Sequence, residues 1–230
     1  MRPAIALGAT IALATCSSLP AGENGVVALE LRLPSPAMVE QNDTLRLRAR
    51  ALNADGDSVA AAVYWRTLDT ALTIVDSIGL VTTDSTSGTA RVQARVGSLR
   101  SEIVTLTLRR RSDTLLLLPP DTIAIPAADS VSDTLGARVE SLSPAGGVGG
   151  TSILYEVVDG TAAQGKVRFA NGLLAFRATT GTDGAPTVAV TLRKVAAQVP
   201  PPVVEVRLTA LRPSGTPVPG SGQSFTLLFQ

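Results

Sequence analysis

Histidine is absent from this 230-residue sequence, and cysteine occurs once, as Cys16. Those two counts exclude imidazole metal sites, serine or cysteine nucleophiles activated by histidine, internal disulfides and multi-cysteine zinc ligand sets. Aromatic residues are scarce, with one Trp, two Tyr and four Phe, which is thin material for stacking bases or sugars. Lysine occurs only at Lys166 and Lys194, neither within a motif that supports a Ser–Lys dyad. Excess charge is also missing. The 20 basic and 19 acidic side chains leave a net charge of +1, so no long-range field recruits nucleic acid or acidic substrates. The acids show no loop clustering that singles out a pair for acid–base work. These absences describe a protein without enzymatic activity, cofactor or metal. What is present is 45% hydrophobic content with 17% charge, which suits a packed core and not global disorder.

The N-terminus reads as an export signal. Arg2 precedes Ala4 to Ala14, a stretch with only Thr10 polar. As a helix it would rise about 16 Å, roughly half the hydrocarbon thickness, so it is too short to span a bilayer and matches a signal-peptide apolar region. Leu13-Ala14-Thr15-Cys16 resembles a bacterial lipobox, in which the cysteine is acylated and becomes the mature N-terminus. Ala12-Leu13-Ala14 also fits ordinary signal-peptidase cleavage, which would give a secreted or periplasmic product. The expected organisation is a signal peptide over 1–15 and a linker over 16–25, with the lipid bilayer as a partner through Cys16.

The remainder alternates with period two, as half-buried strands require. Leu45, Leu47, Ala49 and Ala51 share one face, opposite Arg46, Arg48 and Arg50. Ala90, Val92, Ala94 and Val96 alternate with polar residues, as do Val204, Val206 and Leu208. Turn signals such as Asp55-Gly56, Asn171-Gly172 and Asp183-Gly184 punctuate these runs. The fold class is therefore all-β, a sandwich or barrel of many short strands.

A weak repeat suggests two copies. Asp43-Thr44-Leu45 recurs as Asp133-Thr134-Leu135, Tyr64 followed by Asp69 recurs as Tyr155 followed by Asp159, and Gly79-Leu80-Val81 recurs as Gly172-Leu173-Leu174. A period near 90 residues suits one immunoglobulin-sized sandwich. Near Val188 two registers remain open. That strand matches the one near Val92, or it is an earlier strand followed by a hairpin of Val203–Ala210 with Ser224–Phe229. Arg109-Arg110-Arg111-Ser112-Asp113 lies between the copies, and without aromatics it reads as a solvated hinge and not as a nucleic-acid patch.

Residues 26–108 resemble the bacterial Ig-like group 2 domain. Asn42-Asp43-Thr44-Leu45 enters strand B, Asn53-Ala54-Asp55-Gly56 sits at a turn, and Val63-Tyr64-Trp65 lies in strand C. Val75-Asp76-Ser77-Ile78-Gly79-Leu80-Val81 and Gly88-Thr89-Ala90-Arg91-Val92 complete the pattern. Residues 178–185, Ala-Thr-Thr-Gly-Thr-Asp-Gly-Ala, resemble the invasin-type group more loosely. The resemblance implies two tandem Ig-like β-sandwiches, over 26–109 and 114–230 with a linker over 110–113. It also implies a role in adhesion or spacing at the bacterial surface.

Few residues are candidates for a site. Asn53, Asp55 and Asp57 are spaced like half a calcium loop, but the pattern is incomplete and Asp-Gly favours a plain turn. Trp65 on strand C is expected in the core. Arg46, Arg48 and Arg50 form an outward stripe with about 6.5–7 Å between successive guanidinium positions, suited either to a polyanion or to acids on neighbouring strands. The expected function is a non-catalytic cell-envelope lipoprotein, outer-membrane or surface-exposed, that contacts an envelope or host glycan or protein. The alternatives are a structural stalk and an accessory subunit of an envelope complex.

Overall fold

Alternating side chains between Ala28 and Arg109 generate eleven short strands in the computed structural model, which describes residues 25–158 and 160–230. Cys16 with its flanking segment, and Asp159, lie outside the described residues. The strands are β1 (Ala28–Arg32), β2 (Met38–Glu40), β3 (Thr44–Arg46), β4 (Arg48–Leu52), β5 (Ser58–Val59) and β6 (Tyr64–Thr67). They continue as β7 (Thr73–Ile74), β8 (Leu80–Thr82), β9 (Ser87–Val96), β10 (Leu99–Arg100) and β11 (Val104–Arg109). β3 and β4 are one run interrupted at Leu47, whose N–H still donates to the Gly79 carbonyl at 2.8 Å. The first half pairs antiparallel with β8 and the second half with β1, while β7 extends the layer beyond β8. The facing layer is β6, β9, β11 and β2, antiparallel except where β2 joins β11 in parallel. This order, A-B-E-D against C-F-G, is that of an Ig-like sandwich.

The second half repeats the plan with β12 (Thr114–Leu117), β13 (Thr122–Ile125), β14 (Ala137–Leu142), β15 (Ala145–Gly147) and β16 (Ser152–Val157). A single helical turn, α1 (Gly160–Ala163), precedes β17 (Val167–Arg168), β18 (Ala175–Thr179), β19 (Arg193–Lys194), β20 (Val203–Ala210) and β21 (Ser224–Phe229). One sheet runs β13-β21-β20-β16-β18, with β13 parallel to β21, and the other holds β12, β14 and β15. The Leu135 N–H donates to Val190 O at 2.8 Å and the Ser132 N–H to Leu192 O at 2.9 Å. The segment around Val188 is therefore the earlier strand of the two registers left open by the sequence, and β20–β21 form the final hairpin.

Burial tests the repeat more sharply than the letters do. Tyr64 and Tyr155 both lie on C strands, yet Tyr64 is 45% exposed and Tyr155 is fully buried. The buried counterpart of Tyr155 is Trp65, at the same 90-residue offset that relates Leu45 to Leu135. Sheet side chains alternate, so a one-residue slip in the match reverses the face. The third landmark does not correspond at all. Gly79-Leu80-Val81 leads into β8 beside the B strand, whereas Gly172-Leu173-Leu174 leads into β18 beside the C strand. Gly79 is also fixed by packing, because at φ +99° a Cβ there would lie 2.7 Å from Trp65 Nε1 and 2.8 Å from the Leu47 carbonyl oxygen.

Buried hydrophobics divide into sets drawn entirely from residues 26–108 and a set drawn entirely from residues 115–227. Trp65, 8% exposed, is the largest side chain of the first core, as its place on strand C required. The Tyr155 hydroxyl in the second core meets no donor or acceptor among the described residues, and burial pushes its ionisation upward. Trp65→Ala is expected to destabilise its module by about 3–5 kcal/mol, measured by urea unfolding. Tyr155→Phe, which removes only the unpartnered hydroxyl, is expected to leave the unfolding midpoint unchanged or raise it. A lowered midpoint for Tyr155→Phe would show that the hydroxyl is satisfied.

Candidate functional site

The alternation of the B strand sends Arg46, Arg48 and Arg50 to the side opposite Leu45, Leu47 and Ala51. Two of the three are already paired. Arg46 Nη1 lies 3.0 Å from Asp76 Oδ2, and Arg50 Nη2 lies 2.8 Å from Glu30 Oε2. The Leu80 N–H, followed by the charge of Arg46, holds the Asp76 carboxyl below the usual carboxylate range. Arg48 faces Arg32 directly in the β1–β4 register and makes no ion pair among the described residues. Like charges in opposed sheet positions disfavour the fold, and while Arg32 Nη2 lies 3.6 Å from Glu30 Oε2, Arg48 stays without a carboxylate. Arg32, Arg46 and Arg48 line one wall of an open groove of about 600 Å³, and Pro213, Ser214 and Thr216 of the second module line the other. Ser214 Oγ donates to Asp43 Oδ2 at 2.8 Å across that groove.

The Arg109–Asp113 segment beneath the groove departs from the expectation of a solvated hinge. Arg109 and Ser112 are buried, because the parallel β2–β11 pairing sets Glu40 opposite Arg109 and the second module closes over both. Glu40 Oε1 accepts from Arg109 Nη2 and from Ser112 Oγ, each at 2.6 Å, and Oε2 accepts from the Ser112 N–H at 3.1 Å. Arg212 Nε lies 3.7 Å from the same carboxylate and donates to the Ser112 carbonyl at 2.9 Å. Arg109 Nη1 donates across the junction to the Gly149 carbonyl at 3.0 Å. Gly150, at φ +76°, allows the approach, since a Cβ there would sit 3.2 Å from Met38 Cε and 3.4 Å from Arg109 Nη1. Sequence reasoning missed Glu40 and Arg212, whose partners lie 69 and 100 residues away. A lone acid at the end of Ala37-Met38-Val39 was the only trace.

The other candidates are accounted for locally. Asn53 Oδ1 accepts the N–H groups of Asp55 and Asp57, at 3.0 and 2.8 Å, which builds the turn. Lys194 Nζ donates to the Ala127 carbonyl at 3.3 Å. Cys16 lies outside the described residues. No helix among them is long and apolar enough to cross a membrane.

No family model matches the sequence, and no curated protein matches it. Among solved structures the chain is similar to the Yersinia pseudotuberculosis adhesin InvE, at 17% identity and a TM-score of 0.41, over 91% of this chain and 61% of that one. It is similar to Clostridium thermocellum CbhA fibronectin(III)-like modules at 11% identity and a TM-score of 0.40, covering 88% and 94% of the two chains. The Escherichia coli adhesin FdeC aligns at 13% identity and a TM-score of 0.38, over 86% of this chain and 63% of that one. The Ig-like assignment rests on the strand order itself.

The junction yields a direct test. Glu40 is fully buried while the Arg109 and Arg212 side chains are 10% and 11% exposed, so Glu40→Gln strands two cations. That substitution is expected to destabilise the chain by about 3–5 kcal/mol, read from urea unfolding. An unchanged midpoint would remove the cluster from the account of how the modules are joined.

Proposed function

We propose that this chain is a non-catalytic segment of the bacterial cell surface in which two rigidly joined Ig-like modules present a basic groove to a partner. In this reading residues 26–109 belong to the group 2 Ig-like family and residues 114–230 to an invasin-type relative. Acylated Cys16 anchors the chain to the lipid bilayer, and the partner is an anionic envelope or host glycan, or a protein with an acidic face. The observation that carries it is the Arg32–Arg48 pair, opposed in register and without a carboxylate to neutralise Arg48, at the wall of a groove that both modules build. Guanidinium groups at such a place suit bidentate contacts to carboxylate or sulfate.

A structural stalk is the second reading, favoured by the acids that already occupy Arg46 and Arg50. The two differ in a binding measurement. Replacing Arg46, Arg48 and Arg50 together by Lys keeps the charge and removes the planar fork, and is expected to weaken binding on an anionic glycan array. Wild-type binding should also fall as salt rises past physiological strength. Identical profiles, or no anionic hits, would favour the stalk. Cys16→Ser is expected to move the protein from the membrane to the soluble fraction, because acylation would supply the chains needed for stable attachment. Unchanged partitioning would contradict the anchor.

A further inference from the structure

A second basic surface occupies the opposite sheet of the first module. Tyr64 faces Arg95 across β6–β9, and Arg95 faces Arg100 across β9–β10. Residues directly opposed in a sheet project to the same side, so these three form one row. Arg66 faces Gln93, two positions along β9 from Arg95, which places it on the same side about 6.5–7 Å away. The Arg95 guanidinium carbon lies 5.4 Å from the centre of the exposed Tyr64 ring, a cation–π contact. Together these side chains line an open depression of about 400 Å³.

Carboxylates neutralise several outward strand arginines, although Arg48, Arg168, Arg177 and Arg193 make no ion pair among the described residues either. Outward strand arginines at Arg46, Arg50, Arg91, Arg138 and Arg207 each hold a carboxylate within 3.2 Å. Arg66, Arg95 and Arg100 hold none among the described residues, although Arg95 and Arg100 are directly opposed. Lower on the same face, Asp69 is spent on Arg91, whose side chain holds its carboxyl below the usual range. Gln93 gives its amide N–H to the Ser101 carbonyl at 2.9 Å, which leaves its amide oxygen as an acceptor for a hydroxyl. The arrangement thus offers cations in a fixed row beside a polar acceptor. It offers bases little, since its one aromatic ring is already covered by Arg95.

We infer that this row is a binding site for an acidic oligosaccharide, a sugar chain carrying carboxylate or sulfate groups that bridge Arg66, Arg95 and Arg100. The inference rests on the binding reading above but not on its groove, which belongs to the other sheet. Calorimetric titration of the full chain with a heparin-derived hexasaccharide, an oligogalacturonate and a neutral dextran oligomer tests it. Saturable binding to one or both acidic oligomers and none to dextran is expected, and the arms separate sulfate from carboxylate recognition. Arg95→Gln with Arg100→Gln is expected to weaken that binding by about tenfold, and Arg207→Gln, on the second module and in neither basic surface, to leave it within about twofold. Both variants should keep the wild-type Trp65 emission and unfolding midpoint, since only exposed side chains change. Absence of acidic-oligomer binding, or equal affinity in the Arg95/Arg100 variant, would overturn the site. Binding lost in an Arg48→Gln variant but kept in the Arg95/Arg100 variant would overturn it too, while sustaining the groove.

Discussion

Burying the Glu40 carboxylate takes from water a charge that only Arg109, Arg212 and the Ser112 N–H and hydroxyl are placed to satisfy. Its partners come from the end of β11, from the connecting segment and from the loop after β20. Rotation of one module against the other would therefore draw Arg212 away from Glu40 and break the bond from Arg109 to the Gly149 carbonyl. A buried ion cluster of this kind contributes less to net stability than to the choice of one arrangement over others. Gly150 adds a backbone condition, because it sits at φ +76°, which disfavours other residues, and a Cβ there would press on Met38 Cε at 3.2 Å. The three arginines of the connecting segment would be a swivel if they were solvated. As folded, one of them is part of the lock.

Each module stands without a disulfide, so the inter-sheet space is filled by packing alone. A single large aromatic takes the central place on each C strand, Trp65 in one and Tyr155 in the other, with aliphatic side chains around both. The second core adds Phe169, whose ring centroid lies 6.0 Å from that of Phe176. Two separate cores of this size would permit two independently moving bodies. The buried cluster at the junction is what couples them.

Period-two alternation made the strands legible, because one buried face imposes a strict pattern on the letters. It marked the B strand with its arginines, the F strand around Val92 and the strand at Val204, Val206 and Leu208, but left the final hairpin as one of two registers. The repeat was legible at Leu45 and Leu135, where equivalent residues are both buried. At Tyr64 it misled by one position, since matching identical letters ignored which face each occupies. The junction was illegible for a different reason. Its contacts are single charges far apart in the chain, with no local periodicity to announce them. The Tyr64–Arg95–Arg100 row was hidden likewise, because cross-strand register and not spacing along one strand assembles it.

The groove gains meaning only if the modules keep one orientation, since it is built from the two together. Residual dipolar couplings measured on the full chain in a weakly aligning medium test that claim most directly. The account predicts that residues 26–108 and 115–229 report one common alignment tensor, equal in magnitude and direction. Two tensors of different magnitude would mean that the modules reorient independently, and would contradict the coupling attributed to Glu40.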